Sequence, residues 1–236
     1  MTRISVCIAT YNGARYIKQQ IDSILHQLAA DDEIIISDDS SSDDTLKIIS
    51  LYKEPRIKVF ANQKFRSPIY NFEHAMKQAQ GEFIFLSDQD DLWLDDKVST
   101  ALKALQDSDI FLSDCKIINA QNEVIEESFY VVNGSGRGFF KNLFKNSYLG
   151  CCLAFRREIL KVAIPFPKDV PMHDWWLGLI SEAFFRIHLS NEQLICYRRH
   201  GINATPTGEI SNFAYYKRFQ FRWALVKGLF FAWLRK

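Results

Sequence analysis

Glu82-Phe83-Ile84-Phe85-Leu86 runs directly into Ser87-Asp88-Gln89-Asp90-Asp91, so an apolar, β-prone segment ends in three carboxylates within four residues. Ligands of open α/β sheets bind at the carboxyl edge of the strands, where these acids are expected to lie. Mg²⁺ and Mn²⁺ prefer carboxylate oxygens, together with water and substrate phosphates. The segment therefore predicts a metal–diphosphate site on Asp88 and Asp90. The alternative is a solvated acidic loop that caps the next helix.

Three earlier segments are also strand-like, and each is followed by a helical pattern. The strand-like segments are 4–9, 33–37 and 57–60, and the helical segments are 14–28, 40–52 and 70–80. This alternation predicts an α/β fold with a mostly parallel sheet and helices on both faces. Because parallel strands end at one edge, Asp38 and Asp39 after the second strand are expected to face the same ligand as Asp88.

The glycine motifs of two common nucleotide-binding folds do not occur in the sequence. It contains neither Gly-x-Gly-x-x-Gly nor Gly-x-x-x-x-Gly-Lys-Ser/Thr. This argues against a dinucleotide-binding fold or a P-loop. A nucleotide would instead be held by the acids, a metal ion and backbone groups.

The composition is that of one sizeable domain, or of a domain with a small appendage. The chain has 236 residues, 47% of them hydrophobic, and a net charge of +1, which gives no reason to expect a nucleic-acid partner. Five cysteines without a Cys-x-x-Cys pair favour a reducing compartment, and no basic-then-apolar leader precedes the first strand. We therefore expect a cytoplasmic protein.

Residues 210–236 differ from the rest of the chain because they carry six basic residues and no acid. Placed on a helix, they form one stripe of apolar side chains: Tyr215, Phe219, Trp223, Val226, Phe230 and Trp233. Basic residues around an aromatic stripe predict an interfacial helix on an anionic membrane surface. The alternative is packing on the body or on the second subunit of a homodimer. The apolar run 228–234 is far shorter than the about 20 residues that a bilayer crossing needs.

Five motifs occur in a recognisable order along the chain. They are Ile8-Ala9-Thr10-Tyr11-Asn12, the segment 37–45, Ser87-Asp88-Gln89-Asp90-Asp91, His173-Asp174-Trp175-Trp176 and the segment 197–203. This ordered set resembles the bacterial family 2 glycosyltransferases, which have the GT-A fold. The last two motifs are similar to those of rhamnosyltransferase-like enzymes of O-antigen and capsule assembly.

The resemblance implies a division of the chain into a GT-A domain over 1–209 and a helix over 210–236. Within the domain, the nucleotide-sugar half extends over about 1–115 and the acceptor half over about 116–209. The membrane prediction for the helix suits an enzyme whose acceptor is carried on a lipid.

Roles in nucleotide binding are implied at the start of the chain. Thr10 and Tyr11 would frame the nucleobase, Asn12 would bind the nucleotide beside them, and Asp39 would accept a hydrogen bond from the ring imide of uracil or thymine. Asp88 would lie near the ribose.

A second group is expected around the diphosphate. Asp90 would bind the metal ion, Mn²⁺ or Mg²⁺, that bridges the two phosphates, and His200 matches a histidine that reaches the metal or the pyrophosphate. Lys64 and Arg66, in the loop after the third strand, are expected to help stabilise the departing diphosphate.

Asp174 matches the position of the family's catalytic base. A single general base that deprotonates the acceptor and in-line attack would invert the anomeric centre; helix capping is the alternative role for Asp174. His173 stands where the family often has an acid. His173 and Trp175 are expected in the acceptor or sugar pocket, and Trp176 in the core.

The sequence therefore predicts an inverting, metal-dependent glycosyltransferase. It would move a sugar from a UDP- or dTDP-linked donor to a hydroxyl group of a lipid-linked saccharide or oligosaccharide, as a peripheral protein on the inner face of the cell membrane. Two alternatives stay open. A sugar nucleotidyltransferase would normally have a glycine-rich, basic loop where this chain has Thr10 to Arg15, and a non-catalytic nucleotide-sugar-binding protein would need no base.

Overall fold

The computed structural model describes residues 3–199 and 215–236, and its first half is a parallel α/β unit. The strands lie in the order β3-β2-β1-β4 with all neighbours parallel. Their bounds are β1 Ile4–Thr10, β2 Glu33–Asp38, β3 Ile57–Phe60 and β4 Phe83–Ser87, with helices α1 Ile17–Leu25, α2 Thr45–Ser50 and α3 Pro68–Gln78 between them. The alternation predicted from the sequence is confirmed here.

The second half continues the same sheet in the order β4-β8-β6-β9-β5, with β7 beside β6. In this half β8 is antiparallel to both β4 and β6, whereas β9 is parallel to β6. The sheet is therefore mixed, and the parallel part is concentrated at its first four strands. The remaining elements are β5 Leu92–Trp93, α4 Lys97–Ala104, β6 Ile110–Ile118, β7 Val124–Glu126, α5 Phe129–Asn133, α6 Phe139–Phe144, β8 Leu153–Arg156, α7 Ile159–Ala163, α8 His173–Phe184, β9 Ile187–Arg198 and α9 Tyr215–Trp233.

The central strands are buried on both faces, which explains their continuous apolar sequence. Val6, Ile35 and Phe85, from β1, β2 and β4, are completely buried. Parallel sheets covered by helices on both sides need such runs, because no side chain of the strand points to water. The buried strands fix the sheet, and the polar residues that follow them are left at its carboxyl edge.

Helix α9 packs on the body through one side only. Leu225, Leu229 and Ala232 are buried, and Gly228 allows a close approach: a Cβ there would lie 2.4 Å from Pro167 Cγ. The predicted apolar stripe lies on the other side, where each member from Phe219 to Trp233 is exposed. No helix in the described part of the chain combines the length and hydropathy that crossing a membrane requires.

Gly81 provides a test of how closely α3 and β4 pack on β1. A Cβ at this position would lie 2.6 Å from Ser5 N and 2.7 Å from the carbonyl carbon of Ile4, both backbone atoms. We expect Gly81→Ala to lower the free energy of unfolding by about 1–3 kcal/mol, because the backbone must shift to admit the methyl group. Urea denaturation measures this.

The matched control is Gln80→Ala at the neighbouring exposed position, which should change the free energy of unfolding by no more than about 0.5 kcal/mol. Equal stabilities for the two variants would contradict the close approach of Gly81 to the backbone of β1.

Candidate active site

Carboxylates from both halves of the chain lie close together, and we call this place the cleft. Asp88 and Asp90 follow β4, and Asp174 lies in the first turn of α8; Asp90 and Asp174 are buried, and Asp88 is partly buried. The pKa of the Asp88 carboxyl is raised to about 8, first by burial and then by the nearby charges of Asp90 and Asp174. Like charges act in this way only over short distances. The structure therefore brings the acids of the predicted metal site and the predicted base together.

Asp174 is held by three hydrogen-bond donors. Its Oδ1 accepts from Asn146 Nδ2 (3.1 Å) and from the backbone N of Trp175 (2.5 Å), and its Oδ2 accepts from the backbone N of Gly150 (3.2 Å). These donors lower its pKa, but burial has the larger opposite effect and raises it to about 7. A carboxyl with this pKa is available as a proton acceptor near neutral pH.

Asp91, behind the cleft, has unusual surroundings for an acid. It is fully buried, and its Oδ1 accepts from the backbone N of Arg198 (2.9 Å). Burial and the charges of Asp90 and Asp88 raise the pKa of Asp91, whereas hydrogen bonds from the Arg198 backbone and the Cys151 thiol lower it. Potential ligand atoms of Asp88, Asp91 and Cys151 lie within 4.8 Å of one another. Two carboxylates this close to each other fit a divalent cation, because it prefers carboxylate oxygens and would relieve their mutual repulsion.

The resemblance to family 2 assigns the metal to Asp90 and the ribose to Asp88. In the structure, the group of potential ligand atoms contains Asp88 and Asp91. Asp90 still lies close, since its charge raises the pKa of both neighbours. Burial raises the pKa of the Cys151 thiol, so this sulfur is a protonated neighbour of the carboxylates. The separate roles of the acids stay predictions.

Arg198, at the end of β9, is a completely buried cation. It supports the loop 88–91 that follows β4, which we call the acid loop. Its Nε donates to the backbone O of Asp90 (2.7 Å) and its Nη1 to Asn122 Oδ1 (2.5 Å), while the guanidinium lies 4.5 Å from the centre of the Tyr16 ring. Arg198 therefore fixes the backbone of the acid loop from behind. His200, the predicted second metal ligand, lies outside the described residues.

Lys97 is a second buried cation, in the first turn of α4. Its Nζ donates to the backbone O of Cys151 (2.9 Å) and lies 4.8 Å from the centre of the Trp93 ring. Burial lowers its pKa, while the nearby charge of Asp91 is among the influences that raise it. Cys151 belongs to the 3-10 turn Gly150–Cys152, and Gly150 donates to Asp174. Lys97 therefore holds the turn that orients the predicted base.

Gln89, between the two acids of the motif, links β4 to the end of β1. Its Oε1 accepts from the backbone N of Tyr11 (2.9 Å), and its Nε2 donates to the backbone O of Tyr11 (3.1 Å). Both hydrogen bonds are made to the Tyr11 backbone, and the Tyr11 ring itself is exposed. Sequence reasoning missed Gln89, because the middle position of an Asp-x-Asp motif carries no chemical signal. Of the other predicted nucleobase residues, Thr10 is buried and Asn12 is exposed.

Asp39 holds the loop that follows β3. Its Oδ1 accepts from the backbone N of Phe65 (2.7 Å) and its Oδ2 from the backbone N of Ser67 (3.2 Å). Lys64 and Arg66, on this loop, are exposed. A carboxylate oxygen can accept more than one hydrogen bond, so these contacts leave Asp39 able to take a base imide, a role that stays a prediction.

The residues beside Asp174 are mainly packed. His173 is buried and stacks on Phe72 with ring centres 4.1 Å apart, and burial lowers its pKa to about 3. Neither of its ring nitrogens has a hydrogen-bond partner among the described residues. Trp175 is partly buried and donates from Nε1 to the backbone O of Asn142 (2.5 Å), while Trp176 is completely buried, as expected. These contacts favour packing roles over open sugar-binding faces, and the sugar-binding roles of His173 and Trp175 stay predictions.

Comparison with known proteins identifies the relatives of the chain. The model of "Glycosyl transferase family 2" matches residues 5–163. The chain is 30% identical over 215 residues to an uncharacterized glycosyltransferase of Nostoc sp., covering 85% of this chain and 66% of that protein. It is 34% identical to the Escherichia coli UDP-Glc:alpha-D-GlcNAc-diphosphoundecaprenol beta-1,3-glucosyltransferase WfaP (85% and 78% covered) and 29% identical to the Shigella flexneri dTDP-rhamnosyl transferase RfbG (89% and 77%).

Solved structures show the same fold. TarS of S. aureus in complex with UDP-GlcNAc superposes with a TM-score of 0.70 at 20% identity, covering 95% of this chain and 66% of that one. The mannosyltransferase PcManGT of Pyrobaculum calidifontis, in complex with GDP-Man and Mn²⁺, gives 0.64 at 18% identity, with 99% and 73% covered. The GT-A prediction for the fold is confirmed.

The buried position of Arg198 leads to a stability prediction. Arg198→Met would leave the backbone O of the buried Asp90 without its donor, and a buried acceptor without a partner costs about 1–3 kcal/mol. We therefore expect urea denaturation to show a loss of about 1–3 kcal/mol in the free energy of unfolding. Arg157→Met, at an exposed arginine, is the control and should be nearly neutral. Similar stabilities for both variants would show that Arg198 does not support the loop.

Proposed function

The chain belongs to glycosyl transferase family 2, and from this we propose that it moves a sugar from a nucleoside-diphosphate sugar to a hydroxyl group of a lipid-linked saccharide. Two relatives support this proposal, since the name of WfaP specifies a UDP-linked donor and a diphosphoundecaprenol-linked acceptor, and that of RfbG a dTDP-linked donor. We further propose inversion at the anomeric carbon, a divalent cation as cofactor and action on the inner face of the cell membrane.

The observation that carries the proposal is the convergence of Asp88 and Asp90 with Asp174. Acids at the end of β4 suit the cation that accompanies a diphosphate. Asp174 comes from the other half of the chain and shares their electrostatic surroundings. One cleft thus offers both a site for the donor phosphates and a carboxylate for the acceptor.

Asp174 is proposed as the general base. Its oxygens are oriented by Asn146, Trp175 and Gly150, so the carboxylate is fixed before the acceptor arrives. It would take the proton of the acceptor hydroxyl as that oxygen attacks the anomeric carbon. The hydroxyl attacks from the face opposite the departing diphosphate, and a single displacement of this kind inverts the configuration.

The cation would be held by the acids that follow β4, with Asp88, Asp90 and Asp91 as candidates. When bound, it supplies Lewis-acid stabilisation of the negative charge that develops on the departing diphosphate. Lys64 and Arg66 would add positive charge from the loop after β3. Asp39 and the exposed Tyr11 ring would hold the base of the nucleotide at the same edge.

The sugar nucleotidyltransferase alternative loses support, because the family match covers residues 5–163. A non-catalytic nucleotide-sugar-binding protein would bind the donor without needing Asp174. A panel of nucleotide-sugars with Mn²⁺ or Mg²⁺, scored by released nucleoside diphosphate, separates the enzyme from the binding protein. The proposal expects release with at least one UDP- or dTDP-sugar and no pyrophosphate from a nucleoside triphosphate.

Asp174→Asn tests the base directly. We expect a loss of about 100-fold or more in the transfer rate with little change in donor affinity, because general-base catalysis contributes about 10²–10⁴. Donor affinity is measured by calorimetry and transfer by nucleoside diphosphate release. Asp169→Asn is the matched control, since Asp169 is exposed and asparagine tolerates its left-handed φ of 66°. Transfer at the wild-type rate in Asp174→Asn would exclude it as the base.

The pH dependence of the wild-type rate gives a second test of the same group. Burial raises the pKa of Asp174 to about 7, and only the deprotonated carboxylate accepts a proton. The transfer rate should therefore rise as the pH increases through about 7 and level off above it. A rate that is constant between pH 5.5 and pH 8.5 would contradict the proposed role.

Chelation tests the cation. With EDTA we expect transfer to fall to background and to return when Mn²⁺ or Mg²⁺ is added in excess. The Mn²⁺ concentration that gives half the maximal rate is then measured for Asp90→Asn and for Asp91→Asn. The variant that needs more Mn²⁺ identifies the acid that contributes to the site. Full activity in EDTA would remove the metal from the proposal.

A further inference from the structure

Two short apolar surfaces of the structure lie next to each other. The first is the exposed side of α9, where Trp223 is 62% exposed although the opposite side of the helix is buried against the body. The second is α6, where Phe140 is 75% and Phe144 62% exposed. Exposed aromatic side chains grouped in this way mark contact surfaces in soluble proteins.

Arg222 joins the two helices. Its guanidinium lies 5.3 Å from the centre of the Phe144 ring, and its Nη2 donates to the backbone O of Phe144 (2.9 Å). On α9, Phe219 and Val226 lie three residues before and four after Arg222, so they are its neighbours on the helix surface. The exposed side chains of α6 therefore continue the stripe of α9.

The charges of both segments have one sign. Residues 129–147 contain Arg137, Lys141 and Lys145 and no acid, and residues 210–236 contain six basic residues and no acid. Glu182 of α8 contacts the first segment and accepts there from Tyr148 Oη (2.8 Å) and from the backbone N of Gly138 (2.8 Å). Its one negative charge is outnumbered by the basic residues of the two segments, so the surface is aromatic and has a net positive charge.

We propose that α6 and α9 together form one docking surface for an anionic lipid bilayer. This deepens the proposed function and rests on it, since a lipid-linked acceptor requires the cleft to reach the membrane. Aromatic side chains surrounded by lysine and arginine fit the interface of such a bilayer. A symmetric dimer through the same surface would place like charges against each other, which disfavours it.

Hydrogen bonds link the inner side of this surface to Asp174 and its neighbour Trp175. Trp175 Nε1 donates to the backbone O of Asn142 in α6 (2.5 Å), and Asn146, which follows α6, donates to Asp174 Oδ1 (3.1 Å). A bilayer that binds α6 would therefore lie against the segment that orients the proposed base. This places Asp174 on the membrane side of the molecule, where the saccharide of a lipid-linked acceptor is found.

Vesicle sedimentation tests the surface with the full chain. Vesicles of phosphatidylglycerol and phosphatidylethanolamine are compared with vesicles of phosphatidylcholine, at low and at high salt. We expect binding to the anionic vesicles that weakens with salt. The double variant Phe140→Ser/Phe144→Ser should lower the partition coefficient at least about tenfold, because it removes two of the aromatic side chains that enter the interface.

Two controls separate the effects of charge and of exposed apolar area. Leu51→Ser, at an equally exposed residue that follows α2 in the nucleotide half, should bind as the wild type does. Lys141→Gln should weaken binding to the anionic vesicles only, whereas Lys47→Gln, on α2, should not. Nucleoside diphosphate release from the donor in the absence of vesicles should be the same in all variants, so a failure of the proposed function is seen separately from a failure of the surface.

Three results would overturn the proposal. The first is that wild type does not bind anionic vesicles. The second is that Phe140→Ser/Phe144→Ser binds vesicles like wild type while Trp223→Ser binds them more weakly, which would mean that α9 alone contacts the membrane. The third is a dimer, measured by light scattering, that the double variant abolishes, which would make the surface a subunit interface.

Discussion

The repulsion between buried carboxylates is the constraint on which the rest of the cleft depends. Asp88, Asp90 and Asp91 follow one strand, and Asp174 reaches them from another part of the chain. Burial and the neighbouring charges raise the proton affinity of the group, so the acids need positive charge near them. Two buried cations lie on the inner side: Lys97, whose pKa the nearby charge of Asp91 helps to raise, and Arg198, which donates to the backbone O of Asp90.

The two halves of the sheet contribute differently to this cleft. The parallel half, β1 to β4, ends its strands at one edge and so presents acids and the Tyr11 turn together. The antiparallel return through β8 brings the turn Gly150–Cys152 next to the acid loop, and this turn donates a hydrogen bond to Asp174. Lys97 and Arg198 tie these parts to one another through backbone oxygens. The geometry of the proposed base therefore depends on the same buried cations as the acid loop.

Sequence reasoning was most successful where the chain is most apolar. The strands β1, β2 and β4 were predicted because a short, continuous apolar run bounded by turn residues is typical of a buried strand. The strand β9 was missed, since its centre, Ser190 to Gln193, is polar and its pairing with β6 contains register shifts. No structural role was predicted for Arg198, because charged residues are seldom buried and only the fold shows the partners that compensate its charge. Asp174 was selected from its family position, because its residue type and spacing fit helix capping equally well.

The acids after β4 are proposed to bind one cation together with a nucleoside diphosphate. Electron paramagnetic resonance of free Mn²⁺, titrated against the protein with saturating UDP, tests this without relying on turnover. We expect protein and UDP together to remove the signal of free Mn²⁺. Asp88→Asn or Asp90→Asn should weaken this binding at least about tenfold, whereas Asp169→Asn should not. Mn²⁺ binding that is equal in all four proteins, or independent of UDP, would contradict this proposal.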